Sequence, residues 1–342
     1  MGHGRPRPTE RIVGETAEWP KIVQLGVRGS AVGEADPRIV AADFYHQHYH
    51  AIRPSLRPGT NKTKLGDDEN RICRFCRKRE PEVSFRSDAH AIPESLGNKI
   101  LFTNYECDSC NQFFGRGIEN DFGIWSHIDR TLGGISGKHG VPTAKGAGWR
   151  IENESDHIQV KRDGTAPDYV LDEEKKRFQF DIERGTYTPV AVLKAFVRIG
   201  LTLMPGEELP NFSEALDWIQ EEDHTKSSVE QCPVFETSLS GMKLDRAHAF
   251  LLIRKAGVRG VPYAFLNLAY GYKMFQVCLP SLQDRAINGR DLTFPPYPIL
   301  NEIDPALYRE IHVKPLDFCG REQVKGEQVP VAFGFAQIEI RG

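Results

Sequence analysis

The sequence predicts an α+β protein in which a short metal-framed module precedes a larger mixed domain. Three features lead to that class. Two Cys-x-x-Cys pairs, Cys73/Cys76 and Cys107/Cys110, bracket one short stretch of chain. Apolar residues alternate with period two over residues 177–182, and a nearly continuous apolar helix pattern follows Thr188-Pro189. A chain of 342 residues is long enough to bury more than one core. The expected divisions are an N-terminal extension of unassigned fold, partly flexible, over 1–65, the metal-framed module over 66–147, and an α+β domain over 148–342.

Taken in order, residues 1–65 are dominated by Gly, Pro and charge, with a short apolar piece at 22–27. His46, His48 and His50 alternate and would share one face of a strand. The reading is a polar strand face, or an arm docked on the body, rather than a metal site. Residues 85–92 read as a strand, ended by Pro93, with a turn at Gly97-Asn98. Residues 111–128 read as a helix, although Gly115 and Gly117 each cost about 1 kcal/mol in a helix interior. Residues 131–147 are Gly-rich, a mobile loop that lies along a nucleic-acid backbone or serves as a plain connector.

Residues 149–183 read as β-hairpins, with turns at 154–156 and 163–164. Thr188 as N-cap and Pro189 in the first turn open a largely buried helix, whose only charged stripe is Lys194 and Arg198. Pro205-Gly206 ends it. A second helix is expected from near Asn211, with Glu214 placed for a capping box. Strands follow at 250–253, 263–268, 275–279 and 329–340. This region carries no phosphate loop, no catalytic motif and no internal repeat.

Four thiolates in two pairs suit a tetrahedral structural zinc ion. Cys232, Cys278 and Cys319 show no pairing pattern, so a reducing, cytoplasmic compartment is expected, and no run approaches a membrane span. The net charge of -3 excludes a global nucleic-acid signature. Basic contacts must therefore be local. Arg74, Arg77, Lys78 and Arg79 form one such patch on the first cysteine pair, and Lys138 and Lys145 are further candidates. The competing reading of the patch is a solvated loop.

From Cys73 to about residue 121 the order is Cys-x-x-Cys, His-x-x-Pro-x-Ser-Leu-Gly-Asn, then Cys-x-x-Cys-Asn. This resembles the HNH endonucleases, the His-Me finger or ββα-metal nucleases, in a bacterial branch with a zinc-ribbon frame. Weaker similarity continues through Thr188-Pro189-Val190 and the helix that follows. The resemblance implies a zinc-framed ββα-metal nuclease module that hydrolyses phosphodiester bonds in DNA. It makes His90 the base that activates water, and Asn111 a ligand of a catalytic Mg²⁺ or Mn²⁺ ion. Asn104 is expected to orient His90, with Asn98 as the alternative. A histidine base typically contributes ~10²–10⁴-fold in rate.

Asn111 would also suit a helix N-cap. The chain departs from the family at Ala89, where many HNH enzymes place a metal-binding carboxylate or histidine before the base. Asp88, on His90's side of an ideal strand, Glu119, about two helical turns after Asn111, and Asp121 are the candidate replacements. The missing ligand leaves a second function open, a catalytically degenerate zinc-framed nucleic-acid-binding module. A role in bacterial anti-phage defence or restriction, beside other defence proteins, follows by analogy to the branch. The α+β domain then fits a sensor that gates the nuclease, a recognition surface or a homodimer platform.

Overall fold

A computed structural model describes residues 37–54, 62–69, 71–154, 157–226, 232–239, 243–285, 294–298 and 313–335. The apolar piece at 22–27, the tip of the turn at 154–156 and the end of the strand expected at 329–340 lie outside the described residues. Helix α1 (Pro37–His48) leads into strand β1 (Tyr49–Ile52). His46 and His48 therefore close a helix, and only His50 lies on a strand, which corrects the alternating-strand reading. Helical spacing lets the His48 ring stack on Phe44, and its Nδ1 meets the Phe44 carbonyl at 2.7 Å.

A small sheet follows, made of β2 (Thr63–Leu65), β3 (Ala89–His90) and β4 (Leu101–Thr103), in the order β2-β4-β3. β2 is parallel to β4 and β3 antiparallel to it. The strand expected over 85–92 is reduced to two residues, because the segment before it bonds to a side chain instead of a ladder. Ser84, Arg86 and Ser87 all donate to the Asp108 carboxylate. The helix expected over 111–128 is divided into α2 (Asp108–Arg116), α3 (Ile118–Trp125) and α4 (His127–Gly133). Gly117, at φ -97° and ψ -107°, breaks the first from the second. Cys107 is the N-cap of α2, so Asn111 lies inside the helix and does not cap it.

The predicted hairpins are present. β5 (Ala144–Gly146), β6 (Trp149–Asn153) and β7 (Ile158–Arg162) form one antiparallel sheet. The Gly-rich stretch over 131–147 is thus part helix and part strand, not one loop. β9 (Arg177–Glu183) pairs with β8 (Tyr169–Asp172) on one side and with the last strand on the other. Helix α5 (Pro189–Leu203) precedes α6 (Ser213–Trp218). The expected capping box is absent: Phe212, the last residue of a 3₁₀ turn, is the N-cap of α6 and caps nothing with its side chain. β10 (Val234–Ser238), β11 (Leu244–Arg254), β12 (Ala264–Gly271), β13 (Lys273–Cys278) and β14 (Val313–Leu316) join β1 in a six-stranded antiparallel sheet of order β1-β11-β12-β13-β10-β14. β15 (Gln328–Gly334) closes the described chain. Among the described residues, no helix is long and apolar enough to cross a membrane.

One apolar core runs from the cysteine-framed segment through α5 to the large sheet. Phe122 and Trp125 of α3 pack on Phe196 of α5 at 5.0 and 5.7 Å, and Trp125 also reaches Phe275 of β13 at 5.4 Å. Side chains of this size contribute roughly 1.5–3 kcal/mol each on burial. Polar groups hold the same helix along its length. The Thr188 amide donates to Asp121 at 2.5 Å before its first turn, and Arg198 donates to Glu106 and Glu119 at its middle. At its end, Arg74 Nη1 donates to the Leu201, Thr202 and Met204 carbonyls at 2.7, 2.7 and 2.8 Å, and the Tyr105 hydroxyl donates to Thr202. Carbonyls of a last turn lack the usual i+4 amide, and here only Leu201 receives a C-cap amide, from Met204 at 3.4 Å, so the guanidinium supplies the donors that the helix does not. Both members of the charged stripe are buried: Lys194 donates to the Glu221 carbonyl at 2.6 Å, and burial pushes its pKa down to about 8.

Candidate active site and metal centre

Cys73 and Cys76 lie in a tight turn closed by hydrogen bonds from the Cys73 amide to Lys78 and from the Arg77 amide to Cys73. Cys107 and Cys110 stand at the N-cap and in the first turn of α2. All four sulfurs lie within 4.8 Å of one another, and Cys76 and Cys107 are 3.7 Å apart. Tetrahedral zinc at a Zn–S distance of about 2.3 Å sets sulfur–sulfur edges of about 3.8 Å, so the donor set fits that ion. The hydrogen bond from Cys110 pulls the Cys73 thiol down, while burial pushes the Cys76 thiol up. A divalent cation is the charge that would let the remaining sulfurs ionise together.

His90, on β3, packs its ring on Phe102 of β4 with centroids 4.6 Å apart. Its Nε2 lies 3.7 Å from the Glu94 carboxylate, and its side chain keeps 25% of its surface exposed. Nδ1 is buried without a hydrogen bond of ordinary geometry, although the Asn98 backbone reaches the ring. Burial lowers the pKa, and Glu94, Glu119, the Asn98 carbonyl and Asp88 offset this only in part. The ring is therefore neutral at neutral pH and able to accept a proton.

The residues expected around it divide into two groups. Asn104 does not hold His90, because it is buried and its amide donates to the Gly66 carbonyl. Nor does the Asn98 side chain hold the ring. Its Nδ2 donates to the Ile92 and Leu101 carbonyls at 2.7 and 2.8 Å, and its Oδ1 accepts from the Leu101 amide at 2.9 Å. Asn98 thus closes the 92–101 loop and presents only its backbone to His90. Asp88 is bridged by Lys62 and Lys64, each at 2.9 Å. Asp121 is spent on the Thr188 amide.

Two carboxylates reach His90 from other directions. Glu119 belongs to a separate helix, so the two-turn spacing from Asn111 does not apply. It is nevertheless close to the same face of α2: a Cβ on Gly115 would lie 3.9 Å from its carboxylate, and Gly115 stands one turn after Asn111. The Asn111 side chain is half-buried and has no protein hydrogen-bond partner among the described residues. Glu94 escaped the sequence reading, although its place four residues after His90 beyond Pro93 was visible. Asp108, which pins the segment leading into β3, escaped it too. Its signal was an acidic residue in the first turn of a helix beginning at a cysteine pair.

Of the basic candidates, Arg77, Lys78, Arg79, Lys138 and Lys145 are exposed. Arg77 has only a long 3.9 Å contact to Asp217. Arg74 is a correction: its guanidinium caps α5 and stacks on Tyr105 at 3.8 Å, so it is not presented to a phosphate backbone. Among the described residues, the four cysteines are the sole group of three or more His, Cys, Asp or Glu close enough to share a metal ion. Comparison with known families gives one match, of residues 73–124 to the family described as HNH endonuclease. No curated protein and no solved structure matches the chain.

Proposed function

The chain carries an HNH endonuclease module over residues 73–124, framed by four converging cysteines, and from this we propose that it hydrolyses phosphodiester bonds in DNA. The observation that carries the reading is His90, a neutral, partly exposed imidazole in the matched span. It accepts a proton from water at Nε2, the nitrogen beside Glu94. The resulting hydroxide forms a bond to phosphorus as the P–O bond to the leaving nucleoside oxygen breaks, and that oxygen takes a proton from solvent. A bound Mg²⁺ or Mn²⁺ ion supplies neutralisation of the charge on the phosphorane and the leaving oxygen.

Glu94, 3.7 Å from His90, and Asn111, on α2 one turn before the glycine that faces Glu119, are oxygen donors that no Lys or Arg side chain engages, and they would hold that ion. So sparse a set suits an ion that keeps several waters and takes further oxygens from the substrate phosphate. A place in bacterial anti-phage defence, a cytoplasmic location and pairing through the sheet domain belong to the same proposal, and they rest on family analogy.

One observation favours a second reading, a zinc-framed nucleic-acid-binding module without catalysis. Asp88, Glu119 and Asp121, the carboxylates expected to replace the ligand missing at Ala89, are all engaged by protein partners. Incubation of the purified protein with supercoiled plasmid and with single-stranded DNA, with Mg²⁺, Mn²⁺ or neither, separates the two. Ion-dependent cleavage that disappears in His90→Ala is expected. Binding without cleavage under every condition establishes the second reading instead.

A further inference from the structure

We propose that Lys62 and Lys64 bind the phosphates of the DNA strand cut beside His90, with Asp88 orienting the two ammonium groups rather than holding a metal. The inference deepens the nuclease reading and rests on it. Both lysines lie outside the matched span, at the strand β2 that completes the small sheet.

Phe102 of β4 is the direct cross-strand partner of Lys64 on one side and of His90 on the other. Residues paired in this way project from the same face of a sheet. Thr63 and Ala89, which alternate with them, are buried on the opposite face. Contacts agree with the register, since the Phe102 ring lies 4.6 Å from the His90 ring and 5.0 Å from Lys62 Nζ. Asp88, two residues before His90 on that face, receives Lys62 on one carboxylate oxygen and Lys64 on the other, each at 2.9 Å.

Charge and donors decide what this face binds. The Lys62–Lys64–Asp88 cluster carries a net charge of +1 in a chain whose net charge is -3, while Glu94, next to His90, is the nearby carboxylate left open to a cation. The side chains of Lys62, Lys64 and Asp88 are 57%, 41% and 37% exposed. Each ammonium has three donors and gives one to Asp88, so others remain for an anion. A divalent cation at Asp88 would meet two ammonium groups already on its oxygens, which disfavours the metal-ligand role. The lysines hold Asp88 ionised, with its pKa lowered to about 2.

The test is fluorescence anisotropy of labelled duplex DNA with the zinc-loaded full chain, without added Mg²⁺ or Mn²⁺, across a salt series. Removing one lysine–phosphate interaction should reduce the slope of log K against log[salt] by about one. Lys62→Ala/Lys64→Ala should therefore lower it by about two, and Lys62→Glu/Lys64→Glu should weaken low-salt binding further. Asp88→Asn should keep the slope, bind more tightly at low salt and leave the metal concentration for half-maximal cleavage unchanged. An unchanged slope in a folded, zinc-containing Ala/Ala variant overturns the proposal, as does a raised metal requirement in Asp88→Asn. Because binding is read without cleavage, a protein that never cuts but shows the reduced slope in the Ala/Ala variant keeps the lysine site and sinks the nuclease reading.

Discussion

Arg198 Nη1 lies 2.6 Å from Oε1 of Glu119, joining the middle of α5 to the first turn of α3. The same guanidinium donates to both oxygens of Glu106 at 2.8 and 2.7 Å. Arg198 and Glu106 are almost fully buried, while Glu119 keeps 21% of its side chain exposed. Burial opposes the charge on Arg198, and the two carboxylates more than offset it, so the guanidinium stays protonated. The link matters for the site because Glu119 is one of the charges that reach His90. Helix α5, packed on the large sheet, thus fixes the position of a charge that acts on His90.

Removing the partner of a buried carboxylate leaves an uncompensated charge, a loss of about 3–5 kcal/mol. Arg198→Met should destabilise the protein by that order in urea unfolding. Arg198→Met/Glu106→Gln should recover most of the loss, because no buried charge is then left alone. A single variant as stable as wild type would show that Glu106 takes a proton at little cost.

Metal analysis should find close to one zinc per chain, and Cys107→Ser should lose it. Structural zinc in small peptides contributes about 10–16 kcal/mol of apparent binding energy. The variant should unfold first over residues 71–133, seen as rapid amide exchange there. Retention of fold and activity without zinc would remove the structural role of the cluster.

The pH dependence follows from the direction of the His90 shift. A lowered pKa means that the proton-accepting form is populated down to a pH below the ordinary 6.5. Cleavage should rise with pH along an acid limb whose midpoint lies below 6.5, then level off near neutrality. His90→Ala should abolish the rate while keeping zinc and DNA binding. An acid limb above pH 7, or wild-type rate in the variant, would take the base role away from His90.

Arg74 and its neighbours should separate by readout. Arg74→Ala leaves three carbonyls at the end of α5 without that donor, so stability should fall by about 1–3 kcal/mol while the salt slope of DNA binding holds. Arg77→Ala/Lys78→Ala/Arg79→Ala should do the reverse, reducing the slope by up to about three with little change in stability. Unaltered low-salt affinity in the triple variant would mean that these side chains are merely solvated.

Much of this protein was legible in short-range pattern. The zinc cysteines depend on a two-residue spacer, and α5 depends on a Thr-Pro start and an apolar run. The hairpins depend on period-two alternation between polar turns. Local covalent geometry sets each of these, so neighbouring residues suffice to specify them, along with the base candidate His90 between the two cysteine pairs. The partners of charged side chains were another matter. Arg74 reads as a phosphate contact until α5 supplies it with three carbonyls, and Glu119 reads as a metal ligand until Arg198 claims it. Asp88 reads likewise until β2, from a stretch with no readable motif, brings two lysines to it. These pairings join residues 24 to 130 positions apart. No periodicity encodes such distances, because a charge takes whatever counter-charge or carbonyl the packed core leaves within reach, and that choice is made by the folded chain alone.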